Sequence, residues 1–318
     1  MSKVASAPYC NRPVLIAVVG PTGAGKSELA LGIAEQLDGE IVNCDSMQIY
    51  RGFDIGTAKL AAGERRGIPH HLLDIVGPEE VFSAGEYGRL ARKTVREIAV
   101  RGKVPVVVGG TGFYLRALLD GLPELPPRDE GLRERLARHE AGRRYKMLQR
   151  LDAAAAGRLH MNDEARVVRA LEIRLLTGKP VPGGIDRKVA GSALPEFAVQ
   201  KIGLLPERGA LYERLDRRTE RMYERGLVAE VRELLCDGVP EGAKAFQAVG
   251  YAQALRVVRG ELGESAAVRA TQQATRNYAK RQMTWFRHES GVEFLEQFGE
   301  AVAVAGLLGG VAVDRGRA

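Results

Sequence analysis

The segment Gly20-Pro21-Thr22-Gly23-Ala24-Gly25-Lys26-Ser27 constrains this chain more than any other. It follows the apolar run Val14-Leu15-Ile16-Ala17-Val18-Val19 and precedes a helical pattern over 27–37. A G-x-x-x-x-G-K-[ST] turn between a buried strand and a helix is a phosphate-binding loop. Its glycines let backbone N–H groups turn inward around phosphate oxygens, and the helix N-terminus adds positive potential. In that arrangement Lys26 reaches the terminal phosphates and Ser27 helps hold Mg²⁺. The loop alone does not say whether the phosphates belong to ATP.

The rest of the first 120 residues extends the same pattern. Residues 40–46 read as a second strand that ends in polar residues. Ser83-Ala84-Gly85-Glu86 is a capping box opening a helix. Residues 104–108 read as another buried strand, ending at Gly109-Gly110-Thr111-Gly112, and a helix over 113–120 follows. Short buried strands alternating with helices predict a P-loop α/β fold, a parallel sheet flanked by helices. Ligands in such sheets bind beyond the carboxyl ends of the strands. Ser27, Asp45 and Thr111 all fall at such ends.

Proline-rich residues 122–127 then break the pattern, and residues 128–176 read as helical and arginine-rich. A second breaker spans 177–184, and a strand pattern returns over 197–205. The expected organisation is therefore an α/β core of 13–122 and 197–318 with a helical insertion over 123–196. Helices are expected over 207–259 and 265–289, with a short strand over 291–295.

Composition narrows the class. Of 318 residues, 45% are hydrophobic and 27% charged, which are ordinary globular values. No apolar run is long enough to span a membrane, and the chain does not open on a secretory signal, so a cytoplasmic protein with no membrane partner is expected. Cys10, Cys44 and Cys236 fit neither a zinc site nor a disulfide framework, and none of the five histidines has metal-ligand spacing.

The net charge of +7 favours an acidic partner. Its placement is more informative. In the helix expected over 269–289, Arg269, Arg276, Lys280 and Arg287 share one face, with Tyr278 and Trp285 opposite. A phosphate backbone is the natural partner for such a stripe. A second stripe, Arg214, Arg218, Arg221 and Arg225, sits among Glu213, Glu220 and Glu224, and pairing on the same helix is expected for all but Arg218.

Several segments together resemble one family, the tRNA dimethylallyltransferases. They are the Gly20-Pro21-Thr22 opening of the loop, Asp45-Ser46-Met47-Gln48-Ile49-Tyr50-Arg51, Asp54-Ile55-Gly56-Thr57-Ala58-Lys59, and Pro69-His70-His71-Leu72-Leu73-Asp74. Gly109-Gly110-Thr111-Gly112-Phe113-Tyr114, Asn162-Asp163 with Arg169-Ala170-Leu171-Glu172, Val249-Gly250-Tyr251 and the run from Arg276 to Phe286 continue the pattern in order.

The resemblance implies transfer of the dimethylallyl group of dimethylallyl diphosphate to the exocyclic N⁶ amine of the adenosine 3′ to the anticodon. The acceptors would be tRNAs reading codons that begin with U, with Mg²⁺ as cofactor. It implies Asp45 as general base, Thr111 and Arg218 as further catalytic residues, and His70 near the site. It assigns tRNA contacts to Asp45, Ser46, Met47 and Gln48, to Arg166 and Arg169, and to Gln247, Gly250 and Tyr251. The stripe of Arg276, Lys280 and Arg287 would join them on the anticodon stem and loop, and a monomer suffices. Thr219 departs from the family's usual aromatic residue. Other readings remain open from the residues alone. Asp45 could serve a P-loop kinase, the chemistry would also fit an adenylate isopentenyltransferase, Thr111 could cap its helix, and Arg166 and Arg169 could pair with Asp163 and Glu172.

Overall fold

The computed structural model describes residues 12–183 and 192–308, which leaves Cys10 and Gly184 outside the described residues. The chain divides into two compact units, one formed by Met1–Leu119 with Leu194–Ala318 and the other by Asp120–Ala193.

The first unit is built on one parallel sheet. Its strands are β1 (Val14–Val19), β2 (Gly39–Asn43), β3 (His70–His71), β4 (Val104–Gly109), β5 (Ala198–Leu204) and β6 (Val292–Leu295). Their spatial order is β3-β2-β4-β1-β5-β6, all neighbours parallel. Every residue of β2, and all of β1 beyond Val14, is buried, as expected of a parallel sheet covered on both faces. Helix α1 (Lys26–Leu37) crosses over from β1 to β2 and packs Leu29 and Ile33 against Ile16, Val18 and Ile41. Helix α2 (Ala84–Val100) buries Tyr87, Val95 and Ile98 against the other face. Its capping box closes as the sequence requires. The Glu86 N–H donates to Ser83 Oγ at 3.2 Å, and the Ser83 N–H donates to Glu86 Oε2 at 2.7 Å.

Strand β2 stops at Asn43, three residues short of the expected end. Asn43 causes the turn. Its Nδ2 donates to the carbonyls of Asp45 (3.2 Å) and Leu72 (3.0 Å), and its Oδ1 accepts from the Asp45 N–H (3.1 Å). These bonds pull the backbone out of the sheet ladder and aim Asp45 away from it.

Helix α3 (Gly112–Leu119) follows β4. The stretch 207–259, expected to be helical, holds several separate helices. After the four helices of the second unit come α8 (Arg208–Glu224) and α9 (Leu227–Cys236), separated at Gly226, which takes φ 96°. A 3₁₀ turn over Lys244–Gln247 and α10 (Tyr251–Val258) complete that stretch. Helix α11 (Glu264–Arg287) is the longest in the chain among the described residues, and its buried face includes Ala267, Thr271, Ala279, Met283 and Phe286.

The second unit is helical: α4 (Glu130–Ala137), α5 (Ala141–Leu151), α6 (Ala153–Gly157) and α7 (Glu164–Thr177). Asp129, Asp152 and Asp163 cap α4, α6 and α7. Leu132, Leu136, Leu148, Val167 and Leu171 form its own core. Beside that core lies the fully buried Glu172, bonded to the guanidinium groups of Arg133 and Arg169 and to the Asp129 N–H.

Candidate active site

The site forms where β1, β2 and β4 end. The loop from Gly20 to Ser27 leaves β1 and enters α1 through Gly25, whose φ of 85° a side chain would strain. Among the described residues, the backbone N–H groups of Gly23, Gly25, Lys26 and Ser27 find no protein partner. Four free donors at a helix N-terminus are the electrostatic signature of an anion cradle. The Ser27 side chain is exposed at the rim.

Lys26 folds back over the loop, its Nζ donating to the Pro21 carbonyl at 2.7 Å. Burial lowers its ammonium to about 8, Asp45 opposes the fall, and Arg218 adds to it. Arg218 comes from α8, 196 residues away, and its Nη1 donates to Thr22 Oγ1 at 3.3 Å. Burial lowers this guanidinium to about 10, again with Asp45 opposing. Two desolvated cations beside a loop of free N–H donors make a field that a diphosphate would relieve.

Among the described residues, Asp45 is the acid that opposes the lowering of both cations. Its Oδ1 accepts the Met47 N–H at 2.8 Å, while its second oxygen makes no bond among the described residues. Thr111 stands beside it. The Ser46 N–H donates to Thr111 Oγ1 at 3.0 Å, and the Thr111 hydroxyl donates to Ser46 Oγ at 3.4 Å. The Thr111 side chain therefore faces the Asp45 turn rather than capping α3, whose first turn is satisfied by its carbonyl instead. The structure thus brings the loop, Asp45, Ser46, Met47, Thr111 and Arg218 together.

Two residues of this cluster were not assigned to the site from the sequence. Tyr278 of α11 reaches Thr111, and its phenol is raised by burial and then by the Asp45 charge. Gln282 lies one turn on, with its Oε1 accepting the Thr22 N–H at 2.8 Å and its Nε2 donating to the Gly110 carbonyl at 2.9 Å. The available signal was a glutamine on the apolar face of α11, beside Ala279 and Met283. A polar residue in that register must have partners.

Other expected site residues lie elsewhere. Gln48 donates to the Thr57 carbonyl at 3.1 Å. His70 pairs with Ile41 in the edge strand, and its Nδ1 sits 2.8 Å from the Ile68 carbonyl. Arg166 pairs with Asp163 at 3.4 Å and is largely exposed, whereas Arg169 is committed to Glu172 and to the Pro126 carbonyl. Gln247 is exposed and Gly250 buried. Tyr251 corrects an expectation. Its side chain is wholly buried against Phe53, and its hydroxyl donates to Glu230 while accepting the Gly56 N–H at 3.1 Å. It has no surface to offer an RNA.

The α11 stripe is partly neutralised. Arg276 Nη1 meets both Asp216 oxygens at 2.6 and 2.7 Å, but Lys280 and Arg287 are exposed. Lys280 lines an open cleft of about 560 Å³ with Arg116, Asn277, Arg281, Thr284, Trp285 and His288. The Arg116 guanidinium lies 4.3 Å from the centre of the Trp285 ring. In the α8 stripe, Arg214 pairs with Glu300 rather than with an acid of its own helix, which departs from the expected local pairing. Glu213 pairs instead with Arg217 at 3.8 Å.

Comparison with known proteins identifies the family. A family model described as IPP transferase matches residues 48–289. A tRNA dimethylallyltransferase of Solibacter usitatus is 55% identical over 290 residues, covering 90% of this chain and 94% of its own. Among solved structures, the tRNA isopentenylpyrophosphate transferase of Staphylococcus epidermidis is 35% identical with TM-score 0.67, covering 93% of this chain and 96% of that one. A eukaryotic dimethylallyltransferase, described as acting on tRNA, reaches TM-score 0.74 at 28% identity, covering 89% of this chain and 73% of that one. With the family match over most of the chain and these relatives, the chain belongs to the IPP transferase family, the family of the tRNA dimethylallyltransferases.

Proposed function

We propose that this enzyme transfers the dimethylallyl group of dimethylallyl diphosphate to the N⁶ amine of the adenosine 3′ to the anticodon, in cytoplasmic tRNAs reading codons that begin with U. The observation that carries the reading is the pairing of a cationic phosphate loop with the Asp45 carboxylate across the strand ends. The loop and Arg218 suit a leaving diphosphate, and Asp45 suits an amine that must lose a proton.

In the reaction a bond forms from N⁶ to the allylic carbon as that carbon's bond to the diphosphate oxygen breaks. The N⁶ lone pair is delocalised into adenine, so the amine is a weak nucleophile. Asp45 accepts its proton, a contribution of ~10²–10⁴-fold in rate. The loop N–H groups, Lys26 and Arg218 stabilise the charge growing on the diphosphate. Thr111, held against Ser46, orients the Asp45 turn. The target base must leave its stack to reach these groups.

Magnesium fits this donor set. Among the described residues no three acidic, His or Cys side chains cluster to hold a metal. Mg²⁺ needs no such cage, because it binds through one or two protein oxygens and substrate phosphates. The Ser27 hydroxyl would supply the protein oxygen. When bound, the ion would neutralise charge on the diphosphate.

Asp45 to Gln48, Arg166, Arg169, Gln247, Lys280 and Arg287 are assigned to tRNA contact, and the 120–193 unit to gripping the stem. Nothing in this chemistry requires more than a monomer. The test is transfer of radiolabel from dimethylallyl diphosphate to unmodified tRNA with Mg²⁺, by wild type and Asp45→Ala, with AMP and ATP offered in parallel. Label on tRNA that disappears in the variant supports the reading. Label on AMP alone, or ATP turnover without transfer, overturns it.

A further inference from the structure

The carboxamide of Gln282 does something the sheet cannot do. Strands β1 and β4 are already paired, with Val19 beside Gly109 as the last pair of their register. Beyond that pair the ladder ends, and the two loops that carry the site begin. Gln282 reaches in from α11 and bonds both loops at once, at the Thr22 N–H and the Gly110 carbonyl. It is only 5% exposed, so both bonds are made away from competing water.

The fit is close. A Cβ on Gly110 would lie 2.2 Å from Gln282 Nε2, so glycine is needed for this approach. Thr22 is held from two sides, its N–H by Gln282 and its hydroxyl by Arg218. Gly110 is followed directly by Thr111, whose hydroxyl meets Ser46 beside Asp45.

We propose that Gln282 is a positioning residue. Its side chain sets the distance between the phosphate loop with Arg218 on one side and the Thr111–Asp45 turn on the other. The leaving-group donors and the proton acceptor are thereby held in register. This rests on the prenyl-transfer reading for its kinetic consequence, but not for its effect on the loop.

Two variants test it. Gln282→Met keeps the volume and removes both bonds. Gln282→Glu keeps an acceptor for the Thr22 N–H and loses the donor to Gly110. Binding of inorganic diphosphate with Mg²⁺ is measured by calorimetry, alongside steady-state transfer to tRNA and thermal unfolding. For Gln282→Met we expect diphosphate affinity lower by about tenfold and kcat lower by on the order of 10²-fold, the scale of a small misalignment, with KM for tRNA little changed. Gln282→Glu, which also brings a negative charge to the phosphate loop, should lower diphosphate affinity further and should not recover kcat.

A folded Gln282→Met with wild-type kcat and diphosphate affinity overturns the proposal, as does one that loses only thermal stability. If Gln282→Met does not fold, Gln282→Glu decides alone, and a wild-type kcat in it overturns the proposal. Wild-type protein that binds diphosphate but leaves tRNA unlabelled would sink the prenyl-transfer reading instead. The diphosphate arm would still decide the role of Gln282.

Discussion

Lys26 and Asp45 illustrate how burial sets function at the scale of single residues. With its ammonium lowered to about 8, Lys26 in the free site loses its charge as pH rises through that value. A bound diphosphate favours the charged form, so binding above pH 8 should draw a proton onto Lys26. Calorimetry at pH 9 in buffers of different ionisation enthalpy should show greater proton uptake for wild type than for Lys26→Met. Equal uptake would mean that Lys26 does not titrate there. Asp45 opposes the lowering of both Lys26 and Arg218, so Asp45→Asn has two opposite effects. Transfer should fall by ~10²–10⁴-fold, while affinity for inorganic diphosphate at neutral pH holds or rises. A parallel loss of both would point to a structural defect. Tyr251 supplies the contrasting case. Tyr251→Phe leaves buried Glu230 and the Gly56 N–H short of a partner, which should cost about 1–3 kcal/mol in denaturant unfolding. Its tRNA affinity should not change, since the residue never meets solvent.

Helix α11 shows how one element divides its labour. Ala279, Met283 and Phe286 are buried on one side, with Gln282 reaching the Thr22 and Gly110 loops of the candidate site from the same side. Lys280 and Arg287 project from the other. Only charges free to neutralise a phosphate contribute to the salt dependence of binding, by about 0.7–0.9 in log-log slope per contact. Lys280→Ala and Arg287→Ala should each reduce that slope in filter binding of tRNA. Arg276→Ala should leave it nearly unchanged, because Asp216 already holds that guanidinium at 2.6 Å. A slope that fell equally for all three would show that RNA displaces Asp216.

At the scale of the whole molecule, the division into two units makes a separable prediction. The 120–193 unit holds its own core and its own buried anchor, Glu172. That carboxyl lies near pKa 2: burial alone would raise it, but Arg133 and Arg169 overcome burial. Glu172→Ala leaves two arginines without their shared partner, a defect worth roughly 3–5 kcal/mol. The expected outcome is early unfolding of this unit alone and weaker tRNA binding, with inorganic diphosphate binding intact. Loss of diphosphate binding as well would mean the two units do not fold independently. No helix among the described residues is long and apolar enough to cross a membrane.

The phosphate loop, the alternation of buried strands with helices, and the strand-end positions of Ser27, Asp45 and Thr111 were all legible in the sequence. Each depends on local rules: glycine permissiveness, apolar runs, and the fixed relation between a strand end and the turn after it. The boundary at Gly226 was not legible, because helical periodicity continues on both sides of it and only the backbone angle separates the two helices. The partners of the charges were not legible either. Arg214 pairs with Glu300 and Arg276 with Asp216 over tens of residues, and Arg218 arrives at Thr22 from 196 residues away. Sequence order ranks the neighbours on a helix, but folding chooses among all acids that come within reach. Gln282 is the clearest instance. Its position on an apolar helix face demanded hydrogen-bond partners, yet only the packing of α11 over the ends of β1 and β4 determined that those partners would be the two loops of the site.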